Sequence, residues 1–302
     1  MTSAKGTAPR SRPLFSAERS AEVVTEAFSD TPDPRLRTVI TALVEHLHAF
    51  AKEVALTQAE LDAAIDFLTR TGHACTDVRQ EFQLLSDVLG MSMLVDSLDH
   101  GGPGSASATE STVLGPFHMV DSPPRALGES ISLAEGGEAT LVTGQVLGAD
   151  GQPLGGALVD VWQADEKGFY DVQRPGEVPD RNLRGLFTCD EQGRFHFRTI
   201  LPAAYPIPDD GPVGQLLEAT ARHPYRPAHI HFIVGAEGHR PLTTHVFVAG
   251  SDYLDSDAVF GVKESLVLDF DEVHDAELAA AHGLPVPFRH AHVGITLRPE
   301  EG

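Results

Sequence analysis

His229 and His231 stand two residues apart in the run RPAHIHF. On a β-strand this spacing projects both imidazoles from one face, so a single metal ion can reach both. The pair also fits the polar face of a surface strand, because the chain holds 15 histidines, and it needs further donors to become a site. Tyrosine is the candidate source. Of four in the chain, Tyr170 closes GFYD and Tyr205 precedes Pro206 in AAYPIP. Either one can instead pack its ring in a core and send its hydroxyl to a backbone partner. Two phenolates with two imidazoles suit a hard trivalent cation such as Fe³⁺, since a phenol of pKa about 10 loses its proton to a strong Lewis acid. The ferrous alternative needs two histidines and a carboxylate, and no carboxylate is evident beside these strands. A zinc hydrolase built on the histidine pair is a further alternative.

The elements that must carry these residues change period part-way along the chain. From about Ser16 to His100 the pattern is helical. Asp33 is a candidate cap, Pro34 takes the first helical position, and Leu36, Val39, Ile40, Leu43, Val44, Leu47 and Phe50 form one apolar stripe. A second helix starts at Thr57, where Glu60 completes a capping box and Leu61, Ala64, Ile65 and Leu68 continue the apolar face. A third segment, Arg79 to Leu98, is apolar nearly all round, which points to core packing ahead of a subunit contact. The run GGPGSAS, Gly101 to Ser107, breaks the chain.

Beyond that break, short alternating segments predict strands at Thr140–Leu147, Ala157–Gln163, Arg194–Ile200, Ala228–Val234, Leu242–Val248, Glu264–Asp269 and His292–Leu297, with a turn at Asp150-Gly151. The expected fold is α+β: residues 1–15 disordered, a helical region over 16–105, and an antiparallel β-sandwich with a wrapping linker over 106–302. A sandwich of this kind can also be a metal-free binding module, because fold alone does not assign function.

A formal charge of −22, from 22 Lys plus Arg against 44 Asp plus Glu, argues against nucleic acid and anionic membrane surfaces as partners. Cys75 and Cys189 alone build neither a disulfide framework nor a CxxC metal site. With no secretion-type apolar run, the expected setting is the cytoplasm.

STVLGPFH (Ser111 to His118), VWQADEKGFYD (Val161 to Asp171), RGLFTCDEQGRFHFRTILPAAYPIP (Arg184 to Pro208) and YRPAHIHF (Tyr225 to Phe232) resemble, in order, the intradiol ring-cleavage dioxygenases. The likeness runs from about Phe82 to Leu297, and the helical half resembles the family's N-terminal dimerisation region. It implies one Fe(III) per subunit, with Tyr170 and His231 as equatorial ligands and Tyr205 and His229 as the axial pair. Tyr205 is then the ligand that leaves and takes a substrate proton. Arg226 matches the family's active-site arginine, against the plainer reading of a surface salt bridge. Oxygen and a small aromatic diol or triol are the implied substrates, and a homodimer holding phospholipid is the implied assembly.

By the same resemblance the pocket wall comes from Leu84, Asp87, Val113, Leu114, Gly115, Pro116, Phe117, Ile207 and Pro208. Asp87 is a hydrogen-bond partner for a third substrate hydroxyl, or else a helix cap or bridge. The stretch Leu242 to Leu266 looks like the hydroxyquinol-cleaving branch, and His245 stands where catechol-cleaving members tend to carry glutamine. Hydroxyquinol (benzene-1,2,4-triol) cleavage to 3-hydroxy-cis,cis-muconate, the enol form of maleylacetate, is the expectation. Catechol or chlorocatechol is the alternative.

Overall fold

The computed structural model describes residues 14–76, 79–101, 107–115, 117–118 and 122–300. Most of the expected disordered start, most of the glycine-rich break and Pro116 lie outside the described residues. The chain divides into two compact units between Thr69 and Arg70, whereas the sequence reading ends the helical region at 105.

The first unit contains α1 (Ser20–Ala27), α2 (Pro34–Glu53) and most of α3 (Gln58–His73). Asp33 caps α2 by accepting from the amides of Arg35 and Leu36, with Pro34 at the first helical position. Thr57 and Glu60 form the reciprocal capping box that starts α3. The apolar stripes lie uncovered: Leu36, Leu43, Leu47 and Phe50 of α2, and Leu61, Ile65 and Leu68 of α3, are exposed on the single chain.

The predicted third helix is two. α4 (Glu81–Val88) and α5 (Met91–His100) are separated at Gly90, whose φ of 71° lies in the left-handed region that glycine adopts without strain. α4 buries Leu84 and Val88, as expected of a core segment. α5 does not: Met93 is its buried residue, while Met91, Leu94, Val95 and Leu98 are exposed, which corrects the expectation of core packing for this half.

The rest of the second unit is a sandwich. Its strands are β1 (Ala139–Gly148), β2 (Leu158–Gln163), β3 (Arg184–Thr188), β4 (Arg194–Ile200), β5 (Tyr205–Pro206), β6 (Tyr225–Arg226), β7 (His229–Gly235), β8 (Leu242–Val248), β9 (Val267–Leu268), β10 (Asp271–Val273) and β11 (Phe288–Leu297), with α6 (Pro212–Ala219) and α7 (Ala276–His282) between them. One sheet runs β3-β2-β7-β8-β9, the other β10-β11-β1-β4, and β5-β6 is a separate ribbon. Pairing is antiparallel except that β1 lies parallel to β11 and β8 parallel to β9. The predicted strand at Glu264–Asp269 is instead a 3₁₀ turn, Glu264–Leu266, that runs into the short β9.

Alternation divides the strands cleanly. Val159 and Val161 of β2, Ile230, Phe232 and Val234 of β7, and Phe195 and Phe197 of β4 meet in the core between the sheets. Phe187 stacks on Phe197 with ring centroids 5.2 Å apart. The intervening residues of β2, β7 and β8 therefore face away from that core, and His229, His231 and His245 are among them. That outer face is buried too, so both faces of these strands are covered. Among the described residues no helix is long and apolar enough to cross a membrane.

Candidate metal centre

Register sets the three histidines. Trp162 on β2 pairs with His231 on β7, which pairs in turn with His245 on β8. The rings follow the backbone: Trp162 stacks on His231 at 4.5 Å and 12°, and His245 meets the other side of His231 edge-on at 4.3 Å. Two residues before His231, His229 packs against both of the others.

The tyrosines arrive from loops that other pairs hold in place. Tyr170 lies between two braced points: Asp165 accepts from the amides of Lys167 and Phe169, and Asp171 forms a buried ion pair with Arg184 at 2.6 Å. Tyr205 sits on the β5-β6 ribbon directly opposite Arg226. Gly168, with φ 83°, makes room between them, because a Cβ there would lie 2.9 Å from the Cβ of Tyr205.

Four donor atoms converge. The Tyr170 hydroxyl is 2.7 Å from His231 Nε2, and His229 Nε2 is 3.1 Å from the same nitrogen. The Tyr205 hydroxyl is buried and makes no hydrogen bond of normal geometry, and its ring lies 5.2 Å from that of Tyr170 and 5.5 Å from that of His229. His229 Nδ1 donates to the Pro227 carbonyl at 2.7 Å; a carbonyl only accepts, so the proton is on Nδ1 and Nε2 turns a bare lone pair inward. Burial, with Arg226 adding to it, holds the His229 pKa down to about 3. His231 and His245 are likewise held well below the usual imidazole range, by burial first and then by neighbouring rings. Burial and the adjacent Tyr205 push the Tyr170 phenol well above its ordinary value. Neutral imidazoles and two phenols crowded around one point fit a cation, which satisfies the bare nitrogens and makes ionised phenols favourable.

Arg226 is the fixed charge of the site. Its guanidinium is 1% exposed and grips Asp257 through Nε at 3.0 Å and Nη2 at 3.3 Å. Burial alone opposes its charge, but Asp257 and the two tyrosines more than reverse this, and the pKa rises. Nη1 then reaches His229 Nε2 and Nη2 reaches His245 Nδ1, each at 3.4 Å. This is a buried pair inside the site, not a surface salt bridge. Asp257 also accepts from the amides of Val259 and Gly261. At Gly261 an added Cβ would come within 2.9 Å of the Arg226 guanidinium.

Most of the expected pocket wall assembles. Leu84, Val113 and Ile207 share one buried apolar cluster, with Pro208 half-buried just beyond Ile207. Phe117 stacks on Tyr170 at 4.6 Å. Gly115, φ 78°, sits where a Cβ would approach His231 Cε1 to 3.1 Å. Asp87 is buried, accepts from Gln83 at 2.9 Å and lies within electrostatic reach of Arg226 and Asp257; burial raises its pKa. Leu114 does not join, its side chain being 44% exposed. Sequence reasoning missed Asp257, Trp162 and the Asp171–Arg184 pair. Trp162, the sole tryptophan, was the legible one, because its place on the β2 segment puts it on the outer face.

The profile of the family described as "Dioxygenase" matches residues 125–297, and that described as "Catechol dioxygenase N terminus" matches 33–106. The chain belongs to the intradiol ring-cleavage dioxygenase family. Within it, a hydroxyquinol 1,2-dioxygenase of Rhizobium sp. is 54% identical over 89% of this chain and 90% of its own length. A 6-chlorohydroxyquinol 1,2-dioxygenase of Cupriavidus pinatubonensis is 53% identical over 82% of this chain and 89% of its own. The crystal structure of a hydroxyquinol 1,2-dioxygenase from Pseudomonas putida superposes with a TM-score of 0.87 at 44% identity, covering 94% of this chain and 99% of that one.

For this dioxygenase, replacing Asp257 by Ala strands a buried guanidinium. The expected loss is about 3–5 kcal/mol of stability, read as a lowered denaturant midpoint with an unchanged slope. A loss below about 1 kcal/mol shows that Arg226 finds water instead.

Proposed function

We propose that this dioxygenase cleaves hydroxyquinol between its adjacent hydroxylated carbons, adding both atoms of O₂ to give 3-hydroxy-cis,cis-muconate, the enol form of maleylacetate. The observation that carries the reading is the convergence of two tyrosine hydroxyls and two imidazole nitrogens beside the buried Arg226. The names of its relatives from Rhizobium and Pseudomonas putida support the substrate.

Tyr170, Tyr205, His229 and His231 would hold one ferric ion. When bound, it supplies a Lewis acid that acidifies the two adjacent substrate hydroxyls and couples the ring electronically to oxygen. Tyr205, on its short ribbon opposite Arg226, supplies the phenolate oxygen that takes a substrate hydroxyl proton. Arg226, clamped by Asp257, presents a fixed positive charge where negative charge builds on the ring carbon. Leu84, Val113 and Ile207 keep water from the ring and hold it flat. Asp87, whose carboxyl burial pushes up, offers the third hydroxyl a hydrogen-bond partner, and His245 completes the polar wall behind His231. Gly115, Pro116, Phe117 and Pro208 complete the proposed lining.

The exposed stripes of α2 and α3 support a homodimer in which a second copy covers them, with a phospholipid chain held among them. Two free cysteines suit a reducing cytoplasm.

Oxygen uptake by the iron-loaded protein is expected to favour hydroxyquinol over catechol by about a hundredfold or more, and Asp87→Ala to narrow that gap. Preference for catechol overturns the substrate and leaves the iron site standing. Ferric phenolate ligation is expected to colour the protein, and Tyr170→Phe to bleach it; a colourless protein with a full complement of iron removes the proposed ligand set. Light scattering at micromolar concentration is expected to give twice the chain mass, and a monomer there ends the dimer proposal.

A further inference from the structure

α6 ends in a way that fixes one cationic side chain behind the substrate wall. Ala221 takes the left-handed backbone conformation at φ 54°. Its amide returns to the Glu218 carbonyl at 3.0 Å, and the Arg222 amide returns to the Leu217 carbonyl at 2.8 Å. This crossed pair of bonds holds the Arg222 backbone against the helix end. Leu217 lies in the buried apolar cluster of Leu84, Val88, Ile207, Ala258 and Val259, so the turn is anchored to the wall itself.

The half-buried guanidinium of Arg222 makes two bonds from one fork. Nη1 donates to the Val88 carbonyl at 2.5 Å and Nη2 to the Ala258 carbonyl at 2.9 Å. Val88 is the last residue of α4, in the turn whose carbonyls have no partner within the helix. The guanidinium carbon also lies 4.9 Å from the centre of the Phe260 ring, and that ring packs close to Gly90, where an added Cβ would come within 3.3 Å of it. The identity of the two acceptors is the informative part. Val88 directly follows Asp87, and Ala258 directly follows Asp257. One planar side chain therefore bridges the main chain beside two buried carboxylates: the one proposed to meet the third substrate hydroxyl and the one that clamps Arg226.

We infer that Arg222 is a positioning residue for substrate choice, which sets the distance between Asp87 and the Arg226–Asp257 pair and so lets the site prefer a triol to a diol. The inference rests on the hydroxyquinol reading above. A diol presents its two adjacent hydroxyls alone and asks nothing of Asp87, whereas a triol must meet Asp87 while its ring sits beside Arg226. Lysine cannot replace the fork, because a single ammonium does not span two carbonyls in fixed geometry. A cavity of about 450 Å³, lined by Arg222, Asp257 and Phe260 among others, lies open beside the guanidinium. Water can therefore reach the two freed carbonyls when the side chain is cut back, and the fold is expected to survive the change.

The test compares kcat and KM of Arg222→Ala for hydroxyquinol and for catechol, together with iron content, visible band and melting temperature. The variant is expected to keep its iron and its band. Its kcat/KM for hydroxyquinol is expected to fall at least about tenfold, mainly through KM, while that for catechol changes less than about twofold. Arg222→Lys, which keeps the stem and the charge, is expected to lose the same preference, and it decides the matter should the alanine variant melt early. An unchanged preference in these variants, or an equal fall for both substrates, overturns the inference and leaves the hydroxyquinol reading standing. A wild-type protein that prefers catechol overturns that reading, and the inference with it.

Discussion

A guanidinium with almost no access to water must have a permanent counter-charge, and the site is organised around that requirement. Arg226 meets it with Asp257, which is in turn held by the amides of Val259 and Gly261. The pair does not earn its place by stability, since a buried ion pair is often no better than a packed apolar one. What it gives is a charge that cannot relax when negative charge appears nearby. The β5-β6 ribbon follows from the same pair: Tyr205 can face the histidines because the strand opposite it carries the clamped arginine.

The sandwich serves this arrangement by covering both faces of β7 and β8. One face meets the core between the sheets, and the other carries the histidines, which meet Trp162, Tyr170 and Tyr205. Imidazoles buried in this way stay neutral, as metal-binding nitrogens must. The tautomer of His229 is set by a backbone carbonyl two residues away, so part of the site's chemistry is written in the main chain.

Much of this was legible in the sequence because local rules acted without competition. Asp33, Pro34, Thr57 and Glu60 mark helix starts that the structure keeps, and strict alternation found Arg194–Ile200 and Leu242–Val248 to the residue. Ring spacing paired His229 with His231, but the two tyrosines became partners only through resemblance, since no period links Tyr170 to Tyr205. Asp257 was illegible for a physical reason: it lies in an irregular loop, where neither period nor motif marks a carboxylate as buried. α7 carried ordinary signals, an Asp275 cap, an alanine run and Gly283 at the end, that the reading passed over. The apolar stripes were seen correctly as stripes, but a sequence gives the pattern of a face without saying what covers it.

Trp162 is the chain's only tryptophan, and it lies flat against His231. All indole emission from this protein therefore originates one ring away from the candidate metal centre, with His118 on the other side of the same indole. Excited-state quenching falls off steeply with distance, so the chain's ultraviolet fluorescence is in effect a local signal from the site. Changes in the surroundings of His231 can then be followed in dilute solution without a label or a chromogenic substrate.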